Sequence, residues 1–242
     1  PVAATEPAVP PPDEPVVASQ PEPAPVLTQE QQLAASRKQA DESYLKKDYA
    51  TAFKLYSEAA GRNDPWAIFQ LGKMHSEGSG IERDKKKAME LYQSAAAKGH
   101  ARALNYLGQI YEEGDGVRPD PKKAKELYQQ ALFLVLHDAA KGTASAQYDL
   151  GSMYASGRGV ARNEKQAVEL FEKAAMQGDI DAQVDLALMY AAGRGVTKDP
   201  AKAMRLFEKA AAQGNDMATF NLGSIYETAQ GVPQDERKAA AL

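Results

Sequence analysis

The feature that most constrains how this chain folds is a sequence pattern that returns every few tens of residues. Its clearest copy is DAQVDLALMYAAGRGVTKDPAKAMRLFEKAAAQG, which covers residues 181–214. Apolar residues recur at helical spacing on either side of a GxG pair: Ala182, Leu186 and Tyr190 before it, and Ala203, Leu206, Phe207, Ala210 and Ala211 after it. Spacings of three and four residues place each set on one face of an α-helix. The copy therefore predicts two amphipathic helices joined by a glycine turn.

Five copies of this pattern occur between Ala67 and the end of the chain. Their first helices carry Ala67/Leu71/His75, Ala103/Leu107/Tyr111, Ala146/Leu150/Tyr154, Ala182/Leu186/Tyr190 and Ala218/Leu222/Tyr226. Their second helices begin the apolar face at Ala88, Ala124, Ala167, Ala203 and Ala239, which lie 36, 43, 36 and 36 residues apart. Self-similarity at such a period predicts a repeat architecture, in which neighbouring helix pairs stack side by side.

The pattern AxxxLGxxYxxGxGV followed by DxxKAxxLYxxAAxxG resembles the Sel1-like repeat family, a relative of the tetratricopeptide repeat, over about three quarters of the chain. The resemblance implies an all-α fold, a right-handed α-solenoid of antiparallel helix pairs. It also implies work as an adaptor or scaffold for other proteins, without a shared catalytic residue. We expect repeats at residues 64–99, 100–142, 143–178 and 179–214, and an incomplete repeat at 215–242.

Two segments precede this array. Residues 1–27 are rich in proline, which cannot donate a main-chain hydrogen bond, so we expect a disordered tether. It either spaces the repeats from an upstream anchor or is an inert linker. Residues 28–63 match the tetratricopeptide pattern at Ala40, Ala52, Tyr56 and Ala59, and we expect a helix pair that caps the array. Because the chain stops inside the last repeat, we expect it to be part of a longer protein.

Small and polar residues at fixed positions predict where the helices begin and end. Asp84, Asp120, Asn163, Asp199 and Asp235 each lie four residues before the first alanine of a second helix. We interpret them as N-caps, whose side chains accept a hydrogen bond from a free amide of the first turn. Gly99, Gly142, Gly178 and Gly214 are expected to end the second helices. The GxG pairs follow helices, whereas a phosphate-binding GxG follows a strand, so we interpret them as turns.

The step of 43 residues places seven extra residues between Leu127 and Gly142. Seven residues are nearly two helical turns, so a longer helix would keep its apolar face in phase with the array. The added sequence is apolar all round, and we expect no neighbouring repeat to cover it. It predicts a protruding ridge of Leu132, Phe133, Val135 and Leu136 that docks a partner or a second copy of the chain. The alternative is that this segment bends back or packs beneath an adjacent repeat.

The sequence predicts no catalytic, cofactor-binding or metal-binding site. It has no cysteine, and it contains none of the hydrolase, zinc-protease, nucleotide-binding or calcium-loop motifs. We interpret His75, His100 and His137 as satisfied or solvated side chains. After residue 36, 28 acidic residues stand against 29 Lys and Arg, so nucleic acid is not an expected partner. The longest apolar run, 131–136, is too short to span a bilayer, so any membrane contact would come from a segment outside this chain.

The resemblance to Sel1-like and tetratricopeptide repeats implies that the first helices line a concave face that binds a partner. Counting from the LG pair, the implied partner-binding residues are Trp66, Phe69, Lys73, Arg102, Asn105, Gln109, Tyr148, Ser152, Val184, Leu188, Phe220 and Ser224. Such a surface suits a helix or an extended peptide. Trp66 is the expected anchor, and its burial under the amino-terminal helices is the alternative.

The function predicted from these observations is that of a noncatalytic protein–protein interaction scaffold. We expect the periplasmic part of a bacterial envelope protein that acts in regulation, signal transduction or cell polarity, with a cytoplasmic location as the alternative. A second hypothesis is a module that binds the glycan of peptidoglycan. A third is an enzyme acting on wall precursors, for which the sequence offers no nucleophile.

Overall fold

The computed structural model describes residues 28–228, and this part of the chain contains eleven helices and no strand. The helices are α1 (Gln29–Leu45), α2 (Tyr49–Gly61), α3 (Pro65–Glu77), α4 (Lys85–Ala97), α5 (Ala101–Glu113), α6 (Pro121–Ala140), α7 (Ala144–Ser156), α8 (Glu164–Met176), α9 (Ile180–Ala192), α10 (Pro200–Ala211) and α11 (Asp216–Thr228). Each helix packs against its neighbours in sequence. The all-α solenoid is thus confirmed. Across residues 28–228 no helix is both long and apolar enough to cross a bilayer.

Two predictions concern residues beyond this range. The tether at residues 1–27 lies outside the described residues. So does the part of the incomplete repeat after residue 228, with its expected cap Asp235.

The predicted caps start the second helices. The side chains of Asp84, Asp120, Asn163 and Asp199 accept hydrogen bonds from the main-chain N–H three residues later, at 2.8, 3.0, 3.1 and 2.9 Å. Four of the first helices are capped in a similar way by residues that were not predicted to be caps: Asp64, His100, Asp179 and Asn215. Local side-chain chemistry therefore sets the start of nearly every helix in the described array.

Glycine permits the close packing within each helix pair. The glycine of the LG pair in the first helix faces the aromatic residue of the second helix, and the pairs are Gly72–Tyr92, Gly108–Tyr128 and Gly151–Phe171. A Cβ on these glycines would come within 2.7, 2.5 and 2.7 Å of the aromatic rings. The absence of a side chain thus lets a large ring lie fully buried against the facing helix.

The amino-terminal pair packs as the sequence predicts. Ala40, Ala52, Tyr56 and Ala59 are all buried between α1, α2 and α3. The carboxylate of Asp64, at the start of α3, accepts hydrogen bonds from Nε and Nη2 of Arg37 in α1. This ion pair ties the pair to the first Sel1-like unit.

The extra residues lengthen α6, as predicted: it has 20 residues, whereas the neighbouring α4, α5 and α7 have 13 each. The predicted ridge is only partly correct. Val135 is 2% exposed and packs in a core with Leu104 and Leu150, and Leu132 is half-buried. Phe133 (78%) and Leu136 are exposed. The expectation that no neighbour covers the added turns is wrong, because α7 packs against this part of α6.

The array is curved so strongly that the turn between α1 and α2 contacts the turn before α11. The Lys47 ammonium, between α1 and α2, lies 2.9 Å from a carboxylate oxygen of Asp216 at the start of α11. Nearby, Gly214 approaches Leu45, and a Cβ on it would lie 3.8 Å from the Leu45 carbonyl oxygen. The first helices therefore surround a concave space, and the two ends of the described array are in contact.

Candidate functional site

A cavity of about 320 Å³ opens on the concave side between α3, α5 and α7. Of the implied partner-binding residues, those that line it are Phe69, Lys73, Arg102, Asn105, Gln109, Tyr148 and Ser152. A second cavity, of about 480 Å³, adjoins it and shares Gln70, Lys73, Arg102 and Asp181. The second cavity reaches Asp41 of α1 and Trp66 of α3. We call the two together the groove.

The resemblance implied that the partner-binding side chains are exposed on the concave face, and this orientation is wrong for two residues. Phe69 is 3% exposed and Val184 is 4% exposed. Phe69 stacks on His100 at 4.8 Å between ring centroids and meets the Tyr106 ring edge-on at 5.2 Å. Val184 lies in the core of the carboxyl-terminal repeats. This position, three residues before the LG glycine, faces the next repeat, so a large apolar side chain there packs between repeats.

The other implied residues divide between the groove and the open surface. Trp66 is half-buried, with its ring edge-on to Tyr56 at 5.4 Å and beneath the Arg37 guanidinium, as in the alternative of burial under the amino-terminal helices. Leu188, Phe220 and Ser224 are exposed on α9 and α11 and do not line the 320 Å³ cavity.

The residue column two positions before the LG glycine was not predicted to belong to the site. That column comprises Gln70, Tyr106, Asp149, Asp185 and Asn221. Its first three members line the groove. The signal was available, since Arg102, Tyr106 and Gln109 follow the i, i+4, i+7 spacing of a single helix face.

Arg102 holds the centre of the groove together. Its Nε donates to Asp149 Oδ1 at 2.6 Å, and its guanidinium lies 3.7 Å from a carboxylate oxygen of Asp181. The guanidinium also stands over the Tyr148 ring at 5.2 Å. Burial opposes its charge, yet the two carboxylates hold the pKa of Arg102 above its usual value. Arg102 thereby links α5 to α7 and α9.

Several carboxyl groups in or beside the groove are hard to ionise. Burial raises the pKa of Asp149 to about 6, even though Arg102 lowers it in part. Burial also raises the pKa values of Asp41 and Asp185 to about 6, against hydrogen bonds from Tyr56 and Tyr148 respectively. The pKa of Asp179 is raised by burial as well. Asp41 and Asp149 in the groove therefore change their charge near pH 6, beside the positive charges of Lys73 and Arg102.

The described residues offer little for catalysis or metal binding. His100 Nδ1 accepts the cap hydrogen bond of Ala103, and burial lowers its pKa to about 4, so it is neutral at pH 7. His137 is exposed. His75 is partly exposed, but its Nδ1 is buried without a hydrogen-bond partner in residues 28–228, so the interpretation as satisfied or solvated is wrong for this nitrogen. The same range contains no group of three or more His, Asp or Glu placed to hold a metal.

Comparison with known proteins identifies the repeat. The sequence model described as "Sel1 repeat" matches residues 39–64, 67–100, 101–132, 144–179, 180–215 and 216–242. A Sel1 repeat protein from Oxalobacter formigenes is 29% identical, with a TM-score of 0.54 over 89% of this chain and 86% of that one. An immunity protein from Pseudomonas aeruginosa shares the fold at 22% identity, with a TM-score of 0.54 over 90% and 81%.

A further similar structure is a protective antigen of uropathogenic Escherichia coli that displays an SLR fold. It is 33% identical, with a TM-score of 0.42, and the match covers 88% of this chain but only 45% of the antigen. No curated protein matches the sequence.

Proposed function

Since this chain belongs to the Sel1 repeat family, whose members mediate protein–protein interaction, we propose that it is a noncatalytic scaffold that binds another protein in its groove. One observation carries this proposal. Consecutive repeats direct polar and aromatic side chains into a single continuous space: Lys73 from α3, Tyr106 and Gln109 from α5, Ser152 from α7 and Asp181 from α9.

The size and chemistry of the groove suit a polypeptide segment. Its two cavities, of about 320 and 480 Å³, combine aromatic faces, amides and charges of both signs. Such a mixture is typical of surfaces that recognise peptides by their main chain and by selected side chains. The Ser156 hydroxyl, which lines the cavity, donates to the Ser152 carbonyl oxygen at 2.8 Å and is therefore not paired with a base. The groove thus favours binding over wall-precursor chemistry.

The finer role that we propose is that of the periplasmic part of a bacterial envelope protein in regulation or cell polarity. The proline-rich residues 1–27 and the absence of cysteine support this location. Fusing alkaline phosphatase, which is active only outside the cytoplasm, to the full-length protein tests it. An inactive fusion, together with an active cytoplasmic reporter fusion, would favour the cytoplasmic alternative.

Site-specific photo-crosslinking in cells tests the binding function. A photoreactive amino acid replaces Tyr106, which lines the groove, and in a matched control it replaces Lys165, which is exposed on the outer helix α8. We expect a discrete polypeptide adduct from position 106 and none from position 165. The same adduct from both positions would contradict binding in the groove.

Binding to peptidoglycan is the second candidate, because Tyr106, Tyr148 and the amides of the cavity are also groups that contact sugars. Co-sedimentation with isolated cell wall separates the two hypotheses. If the protein sediments with the cell wall, if Tyr106→Ala abolishes this sedimentation, and if photo-crosslinking gives no polypeptide adduct, the partner is a glycan and not a protein.

A further inference from the structure

At regular junctions, the turn of one repeat packs on the first residue of the preceding outer helix. Gly80 lies against Tyr49, the first residue of α2, and Gly195 lies against Glu164, the first residue of α8. Ion pairs show the same register. Asp115 is 2.5 Å from Lys85, the first residue of α4, and Arg194 is 3.0 Å from Glu164.

The junction after α6 does not follow this register. Gly159 lies against the carbonyl of Tyr128, the eighth residue of α6, and Arg158 stands over the Tyr128 ring at 5.6 Å. Tyr128 nevertheless keeps its regular contact with Gly108 of α5. The first half of α6 therefore pairs with α5, while the next repeat sits seven residues, or about 10 Å, further along α6.

On the concave side, this displacement leaves part of α5 without its usual neighbour. Elsewhere, the residue three positions before the LG glycine of one repeat contacts the residue two positions before the LG glycine of the following repeat. Tyr148 and Asp185 form such a pair, in which Tyr148 donates a hydrogen bond to Asp185. The corresponding pair here would be Asn105 and Asp149. Asp149 instead accepts from Arg102, about one turn nearer the start of α5. Asn105 Oδ1 is left buried and without a hydrogen-bond partner in residues 28–228, beside the 320 Å³ cavity.

The side chains in this gap match the main chain of an extended peptide. Asn105 and Gln109 lie four residues apart on α5, a rise of about 6 Å. Every second residue of an extended chain repeats at about 6.6 Å. An amide side chain can both donate to a main-chain carbonyl and accept from a main-chain N–H. A peptide N–H would supply the donor that Asn105 Oδ1 lacks.

Charge indicates which peptide would fit. Arg158 is neutralised by Glu112 at 3.0 Å, and Arg102 by Asp149. Lys73, which lines both cavities, lies 3.8 Å from Glu77 of its own helix. The adjoining cavity then retains the carboxyl groups of Asp41, Asp179 and Asp181. We propose that the seven-residue insertion creates, between α5 and α7, a pocket that binds an extended peptide segment carrying a lysine or arginine side chain. This inference rests on the proposed protein-binding function and adds where the partner binds and what its chemistry is.

The sequence supplies a deletion that should remove the pocket without unfolding the array. Deleting residues 132–138, LFLVLHD, leaves YQQAAAKG, which differs from the regular YQSAAAKG of residues 92–99 at one position. The deletion restores the 36-residue spacing, so α7 should return to the regular register and cover Asn105. Because the deletion also removes the exposed Phe133 and Leu136, the double variant Phe133→Ser with Leu136→Ser is the control that keeps the displaced register.

The test is selection from a display library of random short peptides on the complete chain, followed by fluorescence anisotropy of the recovered peptides. We expect peptides that carry Lys or Arg at a recurring position. They should bind the Phe133/Leu136 variant normally, bind Asn105→Ala about tenfold more weakly, and not bind the deletion variant. Asn105→Ala should melt no lower than the parent, because the replaced acceptor has no partner to lose.

Each contrary outcome has a distinct meaning. Peptides that bind the deletion variant as tightly as the parent would refute the pocket and leave the protein-binding function intact. Loss of binding in the Phe133/Leu136 variant would place the site on the exposed part of α6 instead. Recovery of acidic peptides would overturn the charge assignment, and binding of muropeptide fragments that the deletion abolishes would overturn the peptide assignment. Failure to enrich any peptide would count against both the pocket and the proposed function.

Discussion

Replacing Asp64 should destabilise the array by more than the loss of an ordinary helix cap. Asp64 is 3% exposed, and its side chain accepts from Arg37 Nε at 2.8 Å and from the Trp66 main-chain N–H at 3.3 Å. Loss of a cap costs about 1 kcal/mol. Loss of the charge-assisted bonds adds about 1.5–3 kcal/mol. Because the Arg37 side chain is 38% exposed, water screens part of that pair, and we expect about 3 kcal/mol in total for Asp64→Ala.

Two further variants separate the contributions. Asp84→Ala removes an exposed cap that has no buried ion pair, and it should cost about 1 kcal/mol. Asp64→Asn keeps a capping oxygen but loses the charge, and it should cost about 2 kcal/mol. Urea unfolding followed by circular dichroism gives the total. The fluorescence of Trp66, the single tryptophan, which lies against Tyr56 and Arg37, reports the amino-terminal junction separately.

The expected order of stability is parent, Asp84→Ala, Asp64→Asn and then Asp64→Ala, with the fluorescence transition of the Asp64 variants preceding the loss of helicity. If Asp64→Ala cost no more than Asp84→Ala, the buried ion pair would contribute nothing, and the amino-terminal pair would be held by apolar contacts alone.

Three other predictions follow from the packing and the charges of the described array. Thermal stability should fall as pH rises from about 4 to about 6 and then level off, because the buried groove carboxyls take up protons on folding. Asp149→Asn should flatten this profile by up to about 3 kcal/mol. An unchanged profile would contradict the raised pKa of Asp149. In Gly108→Ala, the new Cβ would come 2.5 Å from the facing tyrosine ring, so the variant should lose about 1–3 kcal/mol of stability in urea unfolding. In Gly61→Ala, the new Cβ would have no atom within 4 Å, so this variant should be neutral or stabilising. Phe133→Ser should change stability by less than about 0.5 kcal/mol, but Val135→Ala should cost about 2 kcal/mol, and equal effects would contradict the observed burial.

The sequence specified those features that depend on neighbours along the chain. Asp84 and Asp120 start helices because a side-chain oxygen three residues from a free amide satisfies it in any context. The length of α6 followed in the same way from the spacing of its apolar residues. These are local properties, and the structure reproduces them.

The features that escaped prediction depend on how one repeat meets the next. The apolar pattern of α6 fixes its length, but it does not show which half each neighbour uses, so Val135 was expected on the surface. Phe69 was misplaced for a related reason, because helical spacing gives a face and does not tell whether a neighbouring repeat covers it. Part of the signal was nevertheless present. Gly80, Gly159 and Gly195 each lie against the residue 31 positions earlier, and only at Gly159 is that residue in the middle of a helix.

The contact between Lys47 and Asp216 has a consequence for how any occupant enters and leaves. Because the first and last described turns are in contact, a bound segment with bulky ends must enter or leave the groove along its own length, or else the Lys47–Asp216 ion pair must break first. An exposed ion pair of this kind is screened by the solvent and weakens with salt. Exchange of a partner should therefore quicken as ionic strength rises, even where the equilibrium occupancy changes little.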